Sequence, residues 1–253
     1  MAGVRRYTCI AMVMLLSSLT AAYAQKTGLS DEQVKDRLRF IANALDAGQP
    51  GAGTWCYGWL AAYSVGAVAG GVLASSHWAD EKLEGAETVP DREFAEGMLV
   101  GGATFALGVG GFLLDPFVPV TAPRKLRSLP ETTSLERLEK LRRAEDMLRR
   151  CAQREKRGRS LTTHVLNAGV NAAAGVVTKA VFHRSWGSAL ITFAGGEAVS
   201  LLNIFTQPMR ATRDLKRYES GFAGGHPPSS PAPAEPQWSL SVGPGGISFR
   251  LQF

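Results

Sequence analysis

The 253-residue sequence is poor in the side chains that most often carry chemistry. It has 4 histidines and 3 cysteines, and the histidines show no metal-ligand spacing, either among themselves or with cysteine. A G-x-S-x-G nucleophile motif, a dinucleotide fingerprint and a P-loop are also absent from it. We therefore predict that the protein is not an enzyme and has neither a metal site nor a cofactor.

Formal charge is missing from two long stretches of the chain, residues 47–79 and 97–114. The first stretch contains a helix-forming segment at 54–78, and the second stretch, 97–114, forms another. Each of these two segments has about the length of a bilayer span. Trp55 and Trp78 lie near the two ends of the first segment, as aromatic belts lie at the ends of membrane helices. These features predict association with a membrane.

Two later apolar segments, 160–182 and 187–205, are weaker candidates for bilayer spans. They contain Lys179 and Glu197, and one charge at bilayer depth costs about 2.5–3.5 kcal/mol. Two alternatives therefore stay open from the sequence. One is an integral protein, with four spans or with only the first two in lipid, and the other is a peripheral helical bundle with a tight core.

The first residues have the pattern of a secretory signal peptide. Arg5 and Arg6 precede the apolar run 10–19, and the Ala-Tyr-Ala sequence at 22–24 fits the rule for a cleavage site. Residues 1–24 are therefore predicted to be a cleaved signal peptide, and the alternative is an uncleaved signal anchor. Either feature predicts a bacterial protein exported to the cell envelope, in the periplasm or associated with a membrane.

Charge is divided unevenly along the chain, whose formal net charge is +6. Residues 124–159 contain 13 Lys and Arg against 6 Asp and Glu, whereas residues 80–96 contain 2 against 7. In an exported protein with four spans, the basic segment would lie outside the cytoplasm, against the positive-inside rule. The segment from Arg124 to Arg159 is predicted to face solvent or anionic lipid head groups, and not nucleic acid, because acidic residues interleave throughout it.

Small side chains recur at every fourth position in the two uncharged segments. They form one ladder of Gly58, Ala62, Gly66, Gly70 and Ala74, and a second ladder of Gly102, Ala106 and Gly110. Residues four apart share a helix face, so each ladder predicts a groove into which another helix backbone packs closely, as in a glycine zipper. That neighbour is a helix of this chain or of a second copy, so a homo-oligomer is one alternative.

The expected fold is an all-α, Gly/Ala-rich bundle of about six helices. The first helix is predicted over 30–47 and is expected to end at Gly48 and Pro50. An amphipathic helix, a Gly/Ala-rich helix, a Gly-rich helix and a proline follow one another twice along the chain. This order indicates two three-helix repeats, at 25–119 and 120–220, the second of which contains the basic amphipathic helix.

Polar side chains share one face of the third apolar segment. His164, Asn167 and Asn171 lie at steps of three and four residues, as neighbours on a helix surface do. In an antiparallel hairpin with the fourth segment, Asn167 would lie opposite Asn203, and Asn171 near Glu197. One interpretation is a hydrogen-bonded seam that sets the register of the two helices. The alternative is a ligand, ion or proton site around Glu197.

Two cysteines remain in the chain after the signal peptide, Cys56 and Cys151. An exported protein can form one disulfide from them. If the two repeats are equivalent, both sulfur atoms lie at the same end of the bundle. A Cys56–Cys151 disulfide and two buried free thiols are the two alternatives.

The end of the chain changes from helical periodicity to alternation. Residues 221–237 include five prolines, which predicts an extended linker, and residues 238–253 predict a β-hairpin. Its partner-binding positions are predicted to be Trp238, Ile247, Phe249, Leu251 and Phe253. Residues 247–253 resemble the closing strand of bacterial outer-membrane barrel proteins, although no series of barrel strands precedes them. The tail is expected to add to a partner's sheet edge or to touch the outer membrane, or else to fold back on the bundle.

Together these patterns predict a non-enzymatic structural or scaffolding protein of the cell envelope. It would associate with a membrane or with an envelope protein through small-residue helix packing and a tethered tail. The alternative is a carrier or channel-like element for a small polar or lipidic ligand, built on the polar seam around Glu197.

Overall fold

The structure is a computed structural model that describes residues 29–78, 90–223, 237–243 and 246–252. The predicted signal peptide and most of the predicted linker lie outside the described residues. The described part is mostly helical, which confirms the predicted all-α class at that level.

Seven α-helices, one 3-10 turn and two strands follow one another along the described residues. They are α1 (Asp31–Trp78), α2 (Pro90–Leu114), a 3-10 turn (Val118–Val120), α3 (Ala122–Arg127), α4 (Ser134–Gly158), α5 (Leu161–Ala180), α6 (Trp186–Thr206), α7 (Arg210–Ala223), β1 (Gln237–Gly243) and β2 (Gly246–Gln252). The two strands pair antiparallel, with Trp238 opposite Leu251. Helix α3 was not predicted, because Pro119 and Pro123 indicate a break, whereas Pro123 occupies the first turn of α3, where a missing N–H is tolerated.

Helix α1 runs through Pro50 without interruption, so the prediction that a first helix ends at Gly48 and Pro50 is wrong. Proline removes one backbone donor from the helix but does not remove the packing on either side of it. Ala52 is buried, and Nε2 of Gln49 donates to the carbonyl of Val120 at 3.1 Å. These contacts keep α1 a single rod of 48 residues, about 72 Å long.

Two helix starts follow the predicted capping boxes. The N–H of Ser30 donates to Oε1 of Gln33 at 2.9 Å, and Oγ of Ser30 accepts from the N–H of Gln33 at 3.2 Å. Thr133 and Glu136 make the same exchange at the start of α4, at 3.0 and 3.2 Å. Local sequence alone is enough to place these boundaries, because both partners lie within one turn.

One end of the molecule is a charged module, formed by residues 29–50 of α1 together with α3, α4 and α7. Its core contains large apolar side chains from all four helices, among them Leu38, Phe40, Ile41, Leu45, Leu126, Leu141, Leu148 and Tyr218. Ion pairs surround this core, including Arg137 with Asp31 at 2.9 Å and Lys140 with Glu131 at 2.8 Å. The module therefore has the construction of a water-soluble helical domain, apolar inside and charged outside.

A buried carboxylate joins α7 to α4 within the module. Glu155 is 2% exposed, and its two oxygens accept from the N–H groups of Ala211 and Thr212 at 3.0 and 2.7 Å. Those two N–H groups belong to the first turn of α7, where helix donors lack intrahelical partners and a negative charge is stabilised. Glu155 thus acts as the N-terminal cap of α7, supplied from another helix.

The rest of the helical part consists of two antiparallel hairpins. Hairpin 1 is residues 54–78 of α1 with α2, and hairpin 2 is α5 with α6. In hairpin 1 the helices touch backbone to backbone at one level: a Cβ atom at position 70 would lie 2.6 Å from Cα of Gly102. On either side of this point, aromatic rings cover glycines, Phe105 over Gly66 and Tyr63 over Gly108.

Only the second half of the first predicted ladder faces α2. Gly70 and Ala74 are buried there, whereas Gly58 and Ala62 are exposed, and a Cβ at Gly58 would meet no atom of the described residues within 4 Å. The reason is helical geometry, since a step of four residues rotates by about 40° beyond a full turn and four steps rotate by about 160°. The second ladder drifts in the same way. Gly102 is at the contact, Ala106 is exposed, and a Cβ at Gly110 would likewise meet nothing among the described residues.

The hairpins, unlike the module, expose apolar side chains. Among the described residues, every large hydrophobic side chain that is exposed lies on the two hairpins, except Leu135. Three stretches of the described chain are long and apolar enough to cross a membrane: Asp31–Trp78, Arg92–Leu114 and Trp186–Phe222. Their most apolar windows are only 6%, 11% and 11% buried within the protein. Helix α5, which completes hairpin 2, does not reach the same threshold.

Candidate functional site

Hairpin 2 is closed by polar side chains that face each other across its two helices. Nδ2 of Asn171 donates to Oε2 of Glu197 at 2.9 Å and lies 3.2 Å from Oγ of Ser200. Nearer the turn, the hydroxyl of Thr178 lies 3.4 Å from that of Thr192. The structure therefore brings Asn171 and Glu197 together in the predicted register.

The other predicted seam residues are placed differently. His164 contacts the ring of Phe205, with centroids 6.3 Å apart. Asn167 and Asn203 line a cleft beside the hairpin, as Asn171 does, and Nδ2 of Asn203 is buried with no hydrogen-bond partner among the described residues. Glu197 is half-buried in the seam and is not among the residues that line the cleft.

Two tryptophans of α1 join hairpin 1 to hairpin 2 at the end next to the module. Nε1 of Trp55 donates to the carbonyl of Asn203 at 3.1 Å, and Nε1 of Trp59 donates to Oγ1 of Thr206 at 3.0 Å. Both acceptors lie in the last turn of α6, and the carbonyl of Asn203 is one of those that lack an intrahelical backbone donor at a helix end. The sequence indicates these tryptophans only as an aromatic belt, because their partners are more than 140 residues away.

A buried ion pair joins the hairpins at the opposite end. Glu96 is 5% exposed, and its carboxylate accepts from Nε of Arg184 at 2.6 Å and from Nε of Arg92 at 3.1 Å. Nearby, the hydroxyl of Ser188 donates to Glu93 at 3.0 Å. Sequence reasoning missed this clasp. Its only local signal is a carboxylate directly before an uncharged helical segment.

A cleft of about 580 Å³ separates the two hairpins between these clasps. Its apolar walls include Phe105 from α2 and Ile191 and Val199 from α6. Glycines open it further, because Cβ atoms at Gly101 and Gly195, one in each hairpin, would meet nothing among the described residues within 4 Å. The space exists because the clasps hold the two hairpins together at their ends while small residues face each other in the middle.

The module end of the cleft is polar and basic. Arg154 forms an ion pair with Asp115 at 3.1 Å and lies over the ring of Phe117, 5.6 Å from its centroid. Arg157 also lines the cleft, is exposed, and has no side-chain hydrogen bond or ion pair among the described residues. With Nδ2 of Asn203, this end offers hydrogen-bond donors that protein acceptors do not use.

Both cysteines are free thiols in the structure, and they belong to different clusters. Cys151 is buried in the core of the module, whereas Cys56 packs beside Trp55 and Phe117. Burial raises the pKa of the Cys151 thiol to about 12, and the nearby Glu155 carboxylate adds to this. The structure therefore has two separate free thiols, of which Cys151 is buried and Cys56 is half-buried.

For the predicted partner-binding residues of the tail, the structure describes only the backbone. Strand pairing places Trp238, Ile247, Phe249 and Leu251 in the two paired strands. Their side chains, and Phe253 altogether, lie outside the described part of the chain. Within the residues that the structure describes, no group of three or more His, Cys, Asp or Glu side chains is placed to hold a metal ion.

Comparisons with known proteins give no relative for this chain. No protein-family model matches it, no curated protein matches it in sequence, and no solved structure matches its fold. A function is therefore proposed from two features of the structure. One is the chemistry of the cleft, and the other is the contrast between the charged surface of the module and the apolar surface of the hairpins.

Proposed function

We propose that the protein is a non-enzymatic scaffold of the cell envelope, embedded in a bilayer through both hairpins, with the charged module at one membrane surface. The tethered hairpin tail would then bind a partner in the adjacent compartment. In this arrangement the small residues of the helices provide close packing, and the module supplies a rigid base for the tail.

The observation that carries this proposal is the division of exposed side chains. Val68 and Leu202 are 67% and 59% exposed, and no other described residue covers either side chain to exclude water. A water-soluble domain rarely exposes such a continuous apolar surface, whereas lipid covers it without cost. The module, by contrast, has the ion-paired surface of a soluble domain.

Helix α1 is long enough to belong both to the module and to hairpin 1. A bilayer core is about 30 Å thick, and α1 is about 72 Å long, so one half can cross the membrane while the other half remains in the module. Lys179 and Glu197 are the charged residues within hairpin 2. Glu197 accepts a hydrogen bond inside the seam, which is how charges within membranes are usually accommodated.

Two features predict opposite orientations of the module. The predicted signal peptide would place it outside the cytoplasm, and we propose this orientation. The charges favour the opposite one: residues 29–53, 115–160 and 207–223 carry 20 Lys and Arg against 13 Asp and Glu, while the other end of the hairpins adjoins the acidic segment 80–96. Labelling with an impermeant maleimide from outside, in a Cys56→Ser background, decides between them. Labelling of Ser128→Cys in the module supports the proposed orientation, and labelling of Ala86→Cys in the acidic segment supports the opposite one.

The carrier hypothesis keeps a physical basis, although not at Glu197. The seam residues Asn171 and Glu197 are hydrogen-bonded to each other, which supports a role in holding the register of hairpin 2. The cleft, which Asn167, Asn171 and Asn203 line and Glu197 does not, is the better place for a ligand.

The scaffold proposal is tested by introducing charge on the apolar surface. Val68→Glu and Leu202→Glu should each lower recovery of the protein in carbonate-washed membranes, whereas Gln153→Glu, an exposed position of the module, should leave it unchanged. In a water-soluble bundle, all three substitutions would be tolerated. Recovery of the unaltered chain as a soluble monomer without a partner would contradict the proposal.

A further inference from the structure

We infer that the cleft between the hairpins binds one molecule of an anionic membrane lipid, with one acyl chain against the apolar walls and the phosphate at Arg157. The inference goes beyond the scaffold role, because a scaffold needs no internal ligand site.

The shape of the cleft favours a lipid over a compact solute. It extends from Gly97, near the distal clasp, to Gln207, at the end of α6, so it follows the length of the hairpins. Its wall is mostly apolar, with Phe105, Ile191 and Val199 among the side chains that line it, and it is only partly enclosed by protein. A long, mostly apolar groove of this kind suits an acyl chain, which contributes free energy for each buried methylene group.

The charge at the module end selects the head group. The charged side chains that line the cleft are Arg154, Arg157 and Asp115, and Arg154 and Asp115 already pair with each other. Arg157 has no side-chain partner among the described residues and lies in the last turn of α4, shortly before α5 begins. A guanidinium at the end of the cleft suits a lipid phosphate, to which it can donate two hydrogen bonds.

Asn203 adds an independent observation. Its carbonyl is engaged by Trp55, but Nδ2 is buried and lacks an acceptor among the described residues. Buried polar groups of this kind normally have a partner. Because the side chain lines the cleft, an ester or phosphate oxygen of a lipid would supply the missing acceptor.

The test measures lipid binding to the full chain in detergent micelles by native mass spectrometry. The probes are phosphatidylglycerol and phosphatidylcholine with identical acyl chains, so only the head group differs. We expect one phosphatidylglycerol molecule to bind about fivefold more tightly than phosphatidylcholine, the advantage of one basic contact. Equal binding of the two lipids, or a graded shell with no preferred single molecule, would overturn the inference.

Variants that fill the cleft separate it from the outer surface of the helices. Gly101→Leu and Gly195→Leu place a side chain in the open space from opposite walls, so each should weaken binding at least about tenfold. Gly71→Leu is the matched control, since that position is exposed, meets nothing within 4 Å among the described residues and does not line the cleft. An equal loss in all three variants would mean that the lipid lies on the outer surface and would refute the inference.

A variant at the polar end tests the head group without touching hairpin packing. Arg157→Gln should remove the preference for phosphatidylglycerol over phosphatidylcholine, whereas Lys156→Gln, its exposed neighbour, should preserve it. Retained selectivity in Arg157→Gln would overturn the assignment. Since binding is measured in micelles, its outcome is separate from that of the membrane-fractionation test.

Discussion

Hairpin 1 is closed by contact between the backbones of Gly70 and Gly102. Hairpin 2 also has a close approach, of Gly175 to the carbonyl of Ala189, but adds hydrogen bonds from Asn171 to Glu197 and Ser200. In hairpin 1, dispersion contacts depend on the absence of a Cβ atom, so any larger side chain forces the helices apart. In hairpin 2, the polar groups need each other in an apolar setting, so register is specified by chemistry. Two hairpins of similar length in one chain thus differ in which substitutions they can tolerate.

The largest expected effect comes from breaking the backbone contact of hairpin 1. Gly70→Leu should lower the free energy of unfolding by about 3 kcal/mol, because its Cβ would lie 2.6 Å from Cα of Gly102 and backbone atoms cannot yield. Thermal unfolding in detergent measures this loss. Gly71→Leu, one position away on the exposed face, should change stability by less than about 0.5 kcal/mol. Similar losses in both variants would contradict the contact.

The clasp between the hairpins should give the next largest effect. Arg184→Gln removes the donor at 2.6 Å from the buried Glu96, so we expect a loss of about 2 kcal/mol. Arg92→Gln is the control, because Arg92 binds the same carboxylate from within α2 and does not join the hairpins. A double-mutant cycle of Arg184 with Glu96 measures the coupling, and a coupling near zero would exclude the clasp.

Breaking the seam of hairpin 2 should cost less than either of these. Asn171→Ala removes the donor to Glu197 and should lower the free energy of unfolding by about 1 kcal/mol, the usual size of such bonds between membrane helices. Asn167→Ala, on the same helix but without a hydrogen bond among the described residues, should be close to neutral. If Asn167→Ala proved as costly as Asn171→Ala, the seam would not be the source of register.

The two cysteines allow the module to be compared with hairpin 1, because Cys151 lies in the module and Cys56 lies in hairpin 1. The raised pKa of Cys151, about 12, keeps its thiol protonated at neutral and mildly alkaline pH, so maleimide should not label it up to about pH 9 in the folded protein. Cys56, which is half-buried, should react first. Denaturation should expose both. Absence of labelling in the denatured, unreduced protein would instead show that the Cys56–Cys151 disulfide forms.

Local patterns in the sequence were enough for several features. The capping boxes at Ser30 and Thr133 place two helix starts, since all partners lie within one turn. The pairing of Asn171 with Glu197 follows from helical spacing and from the short turn that joins α5 to α6. The tight contact at Gly70 also follows from the four-residue spacing of small side chains. The same spacing wrongly includes Gly58, where a Cβ atom would meet nothing among the described residues.

The amino-acid sequence by itself determined the helical class, the division into charged and apolar segments, and the small residues that allow close approach, because these depend on composition and on spacing within a few turns. The tertiary structure alone decided that α1 continues through Pro50, that Trp55 and Arg184 join the hairpins at opposite ends, and that a cleft remains between them. Those features depend on contacts between residues far apart in the chain, and periodicity carries no information about which distant surfaces meet.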